Sequence, residues 1–375
     1  MLIPHLHIRV FNKKISAFHF FGIIGYIASN LLGVILCYYS HLHIGTGLLL
    51  SLTGALTFFL LAILAKIITG EEVIVYYHHE IAILVTCVIV LKLLHAPILS
   101  YLDITILGIA TFLAFGRIGC FNVGCCHGKP AGKGVVYHHE HVESGFTFYY
   151  EGVPLFPVQL LESGFVFLVV IAGSIILLGH SSPGTVLIFY TAVYGTFRFF
   201  IEFIRGDSER PYFKGLSEAQ WTTLLLMALS VIFAFVGFLP LFSWHLLAAS
   251  LIFLASVITV VYNRTTSRLM NPRHIRQIAM ALDRTHPESS IVQDRRNLPK
   301  SIDIFHTDLV HLSMGQLMQD GTLVRHYTVS CTKNNFLTYT LIRKLATVIQ
   351  QIQKHSQSFE IYEKQNAVFH ILFRN

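Results

Sequence analysis

Residues 116–129 read Gly-Arg-Ile-Gly-Cys-Phe-Asn-Val-Gly-Cys-Cys-His-Gly-Lys. Four glycines within thirteen residues let the backbone approach a ligand closely and turn N–H groups toward an anion. Arg117 and Lys129 are the charges in this stretch; a headgroup-facing arginine at the end of an apolar segment would have the same surroundings as Arg117. Cys120, Cys125, Cys126 and His127, followed by His138, His139 and His141, offer soft ligands for zinc or a similar metal. The spacing fits no paired Cys-x-x-Cys pattern; a redox-active vicinal pair is a further alternative, and small packing residues in a tight turn are the plainest reading. Further on, Gln159 and Glu162 are three residues apart on one helical face. Arg198, Glu202 and Arg205 fall at i, i+4 and i+7 in an aromatic apolar segment. Two arginines can chelate a phosphodiester while a carboxylate orients them, and the same spacing also suits a salt-bridge ladder that steadies a bundle.

The elements that must position these residues are membrane helices. Of 375 residues, 54% are apolar and 13% charged, and the mean hydropathy is +0.61, which excludes a cytosolic enzyme, a disordered chain and a disulfide-rich secreted domain. Residues 15–65, 163–197 and 219–263 contain no Lys, Arg, Asp or Glu, and each run exceeds the roughly 20 residues of one crossing. Spans are expected near 17–38, 44–66, 80–96, 98–115, 158–179, 184–203, 219–239 and 243–262. The third opens on His78-His79-Glu80 and contains Lys92, so it reads either as a span or as a re-entrant segment. Continuous apolar runs favour helices over a barrel, and a first run of this length without an A-x-A site predicts no cleaved signal peptide. Arg117 to Pro157 is then the longest loop, and Arg205 to Glu218 a second polar connection.

After the last span the chain turns basic. Residues 264–375 carry 15 Lys/Arg against 8 Asp/Glu, whereas residues 1–263 carry 12 of each. Three parts follow: a transmembrane domain over 1–263, a basic, partly helical linker over 264–300 and a soluble domain over 301–375. In the last, Leu323 to Thr332 reads as a strand, and Leu337, Leu341, Ile342, Leu345, Val348, Ile349 and Ile352 form one face of a helix. Ser358–Lys364 and Ala367–Phe373 suggest a closing hairpin. The expected fold is an all-α polytopic membrane bundle of 7–8 spans with a small C-terminal soluble α+β domain.

Three motifs in order, Gly-Arg-x-Gly with Phe121 and a glycine-rich turn, Pro-x-Gln-Leu-x-Glu at 157–162, and Tyr-Gly-x-x-Arg-x-x-x-Glu-Phe-x-Arg at 194–205, resemble the prolipoprotein diacylglyceryl transferases over about residues 15–240. The resemblance implies an enzyme of the bacterial cytoplasmic membrane. Such an enzyme moves diacylglycerol from phosphatidylglycerol to the lipobox cysteine of a prolipoprotein, with no cofactor and no nucleic-acid partner. It implies that Arg117 contacts the lipid phosphate, that Gly128 is the essential glycine, and that Arg198 and Glu202 are the second arginine and its carboxylate. His79 corresponds to the family's histidine and is the expected base, its ordinary pKa being closest to neutrality. Gly119, Gln159, Glu162, Tyr194 and Arg205 complete the expected substrate-binding set. The chain departs from the family pattern at Phe21 (for Tyr), Cys120 and Val123 (for Asn) and Cys125 (for Glu). The alternatives are a divergent member whose Cys120, Cys125, Cys126 and His127 bind a metal or thiol ligand, and a lipid-binding scaffold.

Orientation is pulled two ways. The resemblance puts the amino terminus outside, and eight spans would put the tail there too. Arg264, Arg268, Arg273 and Arg276 directly follow the last span, where positive charge favours the cytoplasm, and on this ground the tail is expected inside. A site loop facing outward would then require an odd number of spans.

Overall fold

The computed structural model describes residues 3–10, 13–70, 75–208, 210–262, 269–284, 291–292, 304–319, 322–331, 337–355, 358–365 and 368–374. A short hairpin, β1 (His7–Val10) and β2 (Lys13–Ser16), leads into helices α1 (Ala17–Tyr39), α2 (Ile44–Thr69), α3 (Tyr76–Leu93) and α4 (Ile98–Val123). A connection follows with β3 (Pro130–Val135) and the short α5 (His139–Glu143), then α6 (Val158–Leu178) and α7 (Thr185–Ile201). Beyond a small hairpin, β4 (Tyr212–Phe213) and β5 (Leu216–Ser217), lie α8 (Glu218–Phe235) and α9 (Ser243–Tyr262). Among the described residues, eight helices are long and apolar enough to cross a membrane. Their outward faces, such as Ile23, Ile27 and Leu31 of α1 or Leu56, Phe59 and Leu60 of α2, remain exposed and apolar, as lipid-facing surfaces must be. The protein is therefore a multi-pass helical membrane protein.

Helix α4 is the centre of the bundle. Leu107, Ala110, Leu113 and Ala114 of this helix are buried with Val166, Val169 and Val170 of α6 and with Val186, Tyr190 and Tyr194 of α7. Near its start, the buried Asp103 accepts hydrogen bonds from the backbone N–H groups of Gly184 (2.7 Å) and Leu187 (2.8 Å). A carboxylate from one helix thus satisfies the free donors that open another, which lets a charge survive at this depth.

Two boundaries differ from the sequence expectation. Helix α4 does not stop at residue 115 but continues to Val123, because Gly116 and Gly119 interrupt no backbone hydrogen bond and the break falls at Gly124. Gly124 adopts φ +84° and returns its N–H to the Cys120 carbonyl, a left-handed stop that glycine accepts without strain. The loop therefore begins at Gly124, and Arg117 belongs to the helix. Helix α3 begins at Tyr76, so His78, His79 and Glu80 are in its first turns; it is a continuous 18-residue helix.

The C-terminal part holds strands β6 (Ile291–Val292), β7 (Ile304–His306), β8 (Val310–Gln319), β9 (Thr322–Cys331), β10 (Phe359–Gln365) and β11 (Val368–Arg374). They form one six-stranded sheet in the order β10-β11-β9-β8-β6, with β7 paired to β8. Two helices, α10 (Pro272–Asp283) and α11 (Tyr339–Ile352), cover it. Alternate residues Tyr327 and Val329 of β9 and Phe369, Ile371 and Phe373 of β11 face a core shared with Leu341, Ile342, Leu345 and Ile349. This is the small α+β unit expected from the sequence. In the segment read there as a linker, Leu269, Ile278, Ala281 and Leu282 join the same core. Arg264 and Arg268 lie outside the described residues.

The tail packs on the membrane part. Ile275 and Ala279 of α10 and Val348 of α11 share a buried cluster with Phe121, Tyr137, Phe146, Tyr149 and Tyr150. The amino-terminal segment meets the same end of α4, since the His5 N–H donates to Asn122 Oδ1 at 2.9 Å. Amino terminus, 124–157 loop and tail consequently share one side, as eight crossings require. An outward loop with an inward tail, conceivable from the sequence, is excluded by these contacts.

Candidate active site

The last two turns of α4, the first turns of α6 and the end of α7 converge on one buried charged group. Glu162 lies 2.8 Å from Arg117 Nε through Oε2 and 3.7 Å from Arg198 Nε through Oε1. Tyr194 donates its hydroxyl to the same Glu162 Oε1 at 2.9 Å. Arg198 also pairs with Glu202 one turn below, as the i, i+4 spacing predicts, and Glu202 pairs in addition with Arg210. Arg205 makes a two-pronged contact with Asp207, 3.0 Å from Nε to Oδ1 and 3.1 Å from Nη2 to Oδ2. Asp207 in turn meets Arg210 Nε at 2.6 Å. Arg117, Glu162, Arg198, Glu202 and Arg205 are all buried, so Arg117 is not the headgroup-facing arginine that its sequence position also allowed.

Three carboxylates and four guanidiniums thus form one chain of contacts with an excess positive charge. Such a group holds its residents by mutual pairing, yet leaves a net attraction for an incoming anion. Burial works against charge on Arg205, but Asp207, Cys126 and Glu162 outweigh it and hold the guanidinium above its usual range.

The glycine-rich turn is fastened to the end of α7. Lys129 donates its N–H to the Ile204 carbonyl at 2.9 Å, and Gly206 donates to the His127 carbonyl at 2.9 Å. On the other side the Gly128 N–H bonds to Phe156 O at 3.1 Å. A Cβ at Gly128 would sit 2.4 Å from Phe156 O, so only glycine fits between these two strands of backbone. Gln159 donates Nε2 to the Cys125 carbonyl at 2.8 Å and anchors the turn from α6. Gly119 lies against the backbone of Phe18, setting how closely α1 approaches α4.

The structure places the remaining expected residues as follows. The thiols of Cys120, Cys125 and Cys126 lie within 4.8 Å of one another. His127 is not among them; its Nδ1 is 2.9 Å from the Gly128 carbonyl and its ring packs on Phe146 and Tyr150. His141 Nε2 faces the Asn122 carbonyl, while His139 is exposed beside Glu143 and Glu151. Hydrogen bonds with Cys120 and Cys125, aided by Arg205 and Arg117, hold the Cys126 thiol well below its usual range despite burial. His79 is buried on α3, with Nδ1 2.9 Å from the Val75 carbonyl and its ring 4.7 Å from that of Phe58. Among the described residues no hydrogen bond or ion pair joins it to the arginine group.

Asp207 and Arg210 were not singled out from the sequence as site residues, although Gly206-Asp207 directly follows the third motif. A second polar strand was also missed: Tyr76 and Tyr190 meet hydroxyl to hydroxyl at 2.5 Å, Glu80 hydrogen-bonds to both, and Tyr190 stacks on Tyr194. These tyrosines are spread over two helices, so no local spacing could reveal them.

Fold and site together define a polytopic membrane protein with a buried arginine and carboxylate centre at one end of its helices. The family model for prolipoprotein diacylglyceryl transferase matches residues 5–236, and the chain belongs to that family. It is 33% identical over 140 residues to a phosphatidylglycerol–prolipoprotein diacylglyceryl transferase of Clostridium tetani, a stretch covering 36% of this chain and 52% of the relative. A second enzyme of that name from Clostridium perfringens is 30% identical over 136 residues, 35% of this chain and 49% of the relative. One from Dehalococcoides mccartyi is 32% identical over 133 residues, again 35% and 49%. The chain spans about half the length of the curated relatives it matches.

Proposed function

We propose that this protein transfers a diacylglyceryl group from phosphatidylglycerol to the lipobox cysteine thiol of a prolipoprotein, in the bacterial cytoplasmic membrane. The observation that carries this reading is the convergence of Arg117 and Arg198 on Glu162. The lipid phosphate competes with Glu162 for the two guanidiniums, which are already desolvated and oriented, so little reorganisation is needed as charge grows on the departing glycerol phosphate. Arg205 adds positive potential, and Tyr194 keeps Glu162 in place when an arginine turns to the lipid. His79 serves as the base for the incoming thiol; its Nε2 has no hydrogen-bond partner among the described residues and is free to take a proton. The scheme requires no cofactor.

Complementation of a strain depleted of its own diacylglyceryl transferase tests the proposal. Growth and lipid-modified prolipoprotein are expected with the native chain and not with Arg117→Ala. Absence of both with a well-expressed native chain would overturn it. The basic residues after the last span favour a cytoplasmic tail, and the loop and amino terminus go with it.

A further inference from the structure

We propose that Cys120, Cys125 and Cys126 form a three-thiol site for a soft d10 cation, Zn2+ or Cu+, whose remaining position takes an exogenous thiol. Their sulfur atoms already lie within 4.8 Å of one another. Three thiolates around an ion at about 2.3 Å stand roughly 3.8–4.0 Å apart, so closing the site moves each sulfur by about 1 Å or less. The chain is built to allow this. Cys120 is fixed on the last turn of α4, and the left-handed Gly124 folds the next two residues back until the Cys125 sulfur is 3.9 Å from the Cys120 carbonyl.

Charge and access agree with the assignment. Three thiolates leave a Zn2+ site with one net negative charge, which Arg117 and Arg205 beside Cys126 offset. Cys120 is buried while Cys125 is exposed, so the site has a dry floor and an open side. Among the described residues no histidine or carboxylate joins the three thiols, and His127 is committed to Gly128 and two aromatic rings. Three protein ligands with one position open is the arrangement of a reactive zinc site, not a closed structural one.

The open position suits a thiol because a coordinated thiol loses its proton outright and remains a nucleophile at neutral pH. Resting on the lipid-transfer reading, the step balances as follows. The substrate thiol gives its proton to His79 on binding, its sulfur forms the bond to the glycerol carbon, and the carbon–oxygen bond to phosphate breaks. The electron pair stays on the phosphate held by Arg117 and Arg198. The metal site itself does not depend on that reading.

The full chain, purified in detergent, reduced and stripped with a chelator, is titrated with Zn2+ alone and separately with Cu+ alone, and metal is quantified after desalting. One equivalent per chain of at least one ion is expected, with affinity lowered roughly tenfold or more in Cys125→Ser and Cys126→Ser and unchanged in Cys331→Ser. Failure of both ions to bind, or retention of native affinity in both triad variants, overturns the site. Because Cys125 is exposed, its serine variant is the one least able to act through misfolding. A Co2+-loaded sample is then mixed with a lipobox peptide carrying cysteine or serine. A spectral change with the cysteine peptide alone supports the open thiol position, and identical spectra overturn it. Metal binding without lipid transfer would remove only the proposed reaction, so the two ideas fail separately.

Discussion

Glu162 on α6 lies between Arg117 of α4 and Arg198 of α7 and is, among the described residues, the one carboxylate that touches both guanidiniums. The sequence motif assigns the orienting role to Glu202, one turn from Arg198. The structure gives Glu162 the central position and leaves Glu202 to join Arg198 to Arg210. Removing Glu162 would leave the buried Arg117 without its carboxylate and Arg198 with Glu202 alone, a loss of about 3–5 kcal/mol by comparison with other broken buried pairs. Glu162→Ala is therefore expected to lower the melting temperature in detergent clearly, and more than Glu202→Ala, whose partner Arg210 keeps Asp207. Equal melting temperatures for native and Glu162→Ala protein would contradict the arrangement.

The arginines should carry turnover more than stability. Arg117→Ala and Arg198→Ala are each expected to cut lipid transfer by roughly 10²–10³-fold, and Lys at either place to restore only part of it, since the guanidinium fork is lost. The assay is transfer of labelled diacylglycerol to a lipobox peptide, with protein level measured in parallel.

How much of this site the sequence displayed depends on distance along the chain. Arg198 and Glu202 are one helical turn apart, so their pairing follows from spacing. Glu162 was visible as the partner of Gln159 on one face, but helical spacing cannot tell that Gln159 holds Cys125 while Glu162 meets residues 45 and 36 positions away. Six of the eight spanning helices fell close to expectation because continuous apolar runs announce them. Helix α4 ran on past 115 because a polar composition after Ala114 looked like a loop, whereas burial against α1 and α6 kept it helical. In the tail, β8 was passed over because Val310–Gln319 mixes His, Ser, Gly and Gln with its apolar residues; pairing with β7 and β9 on either side makes it a strand.

Gly128 gives a steric prediction with a built-in control. Gly128→Ala places a methyl group 2.4 Å from Phe156 O, so the turn must leave the end of α7 and activity should fall below detection. Gly132→Ala, where nothing lies within 4 Å of the added carbon, should behave as native. Both are read in the same transfer assay.

The tail should weaken in acid. Burial, with Arg325 adding to it, pushes His355 down to about 4 from an ordinary 6.5, and burial also lowers His274 despite its bond to the Leu269 carbonyl. Both imidazoles are neutral when folded at pH values where the unfolded chain binds protons. Stability contributed by the neutral state is complete above about pH 6.5 and is lost as pH falls toward 4. Hydrogen exchange of β9 and α11 in the full chain is expected to accelerate over that window, and His355→Gln should flatten the response.

Sidedness can be read at two places at once. A reporter fused after Asn375 and a single labelled cysteine replacing the exposed Lys133 in the loop should report the same compartment, because tail and loop share a buried cluster. The expected compartment is the cytoplasm; alkaline phosphatase activity of the fusion would move the loop, the tail and the amino terminus together to the outside.

The hydrogen bonds from Asp103 to the start of α7 have a mechanical meaning. Asp103 and Arg117 are 14 residues apart on α4, about 21 Å along the helix, so α4 is tied to α7 directly near one end and through Glu162 of α6 near the other. Two rods pinned at both ends cannot slide past each other. When the bilayer thickens or thins, the pair must tilt as one body, and the gap between Arg117 and Arg198 stays constant. In the proposed reaction, a grip on phosphate by these two arginines would thereby be insulated from changes in bilayer thickness.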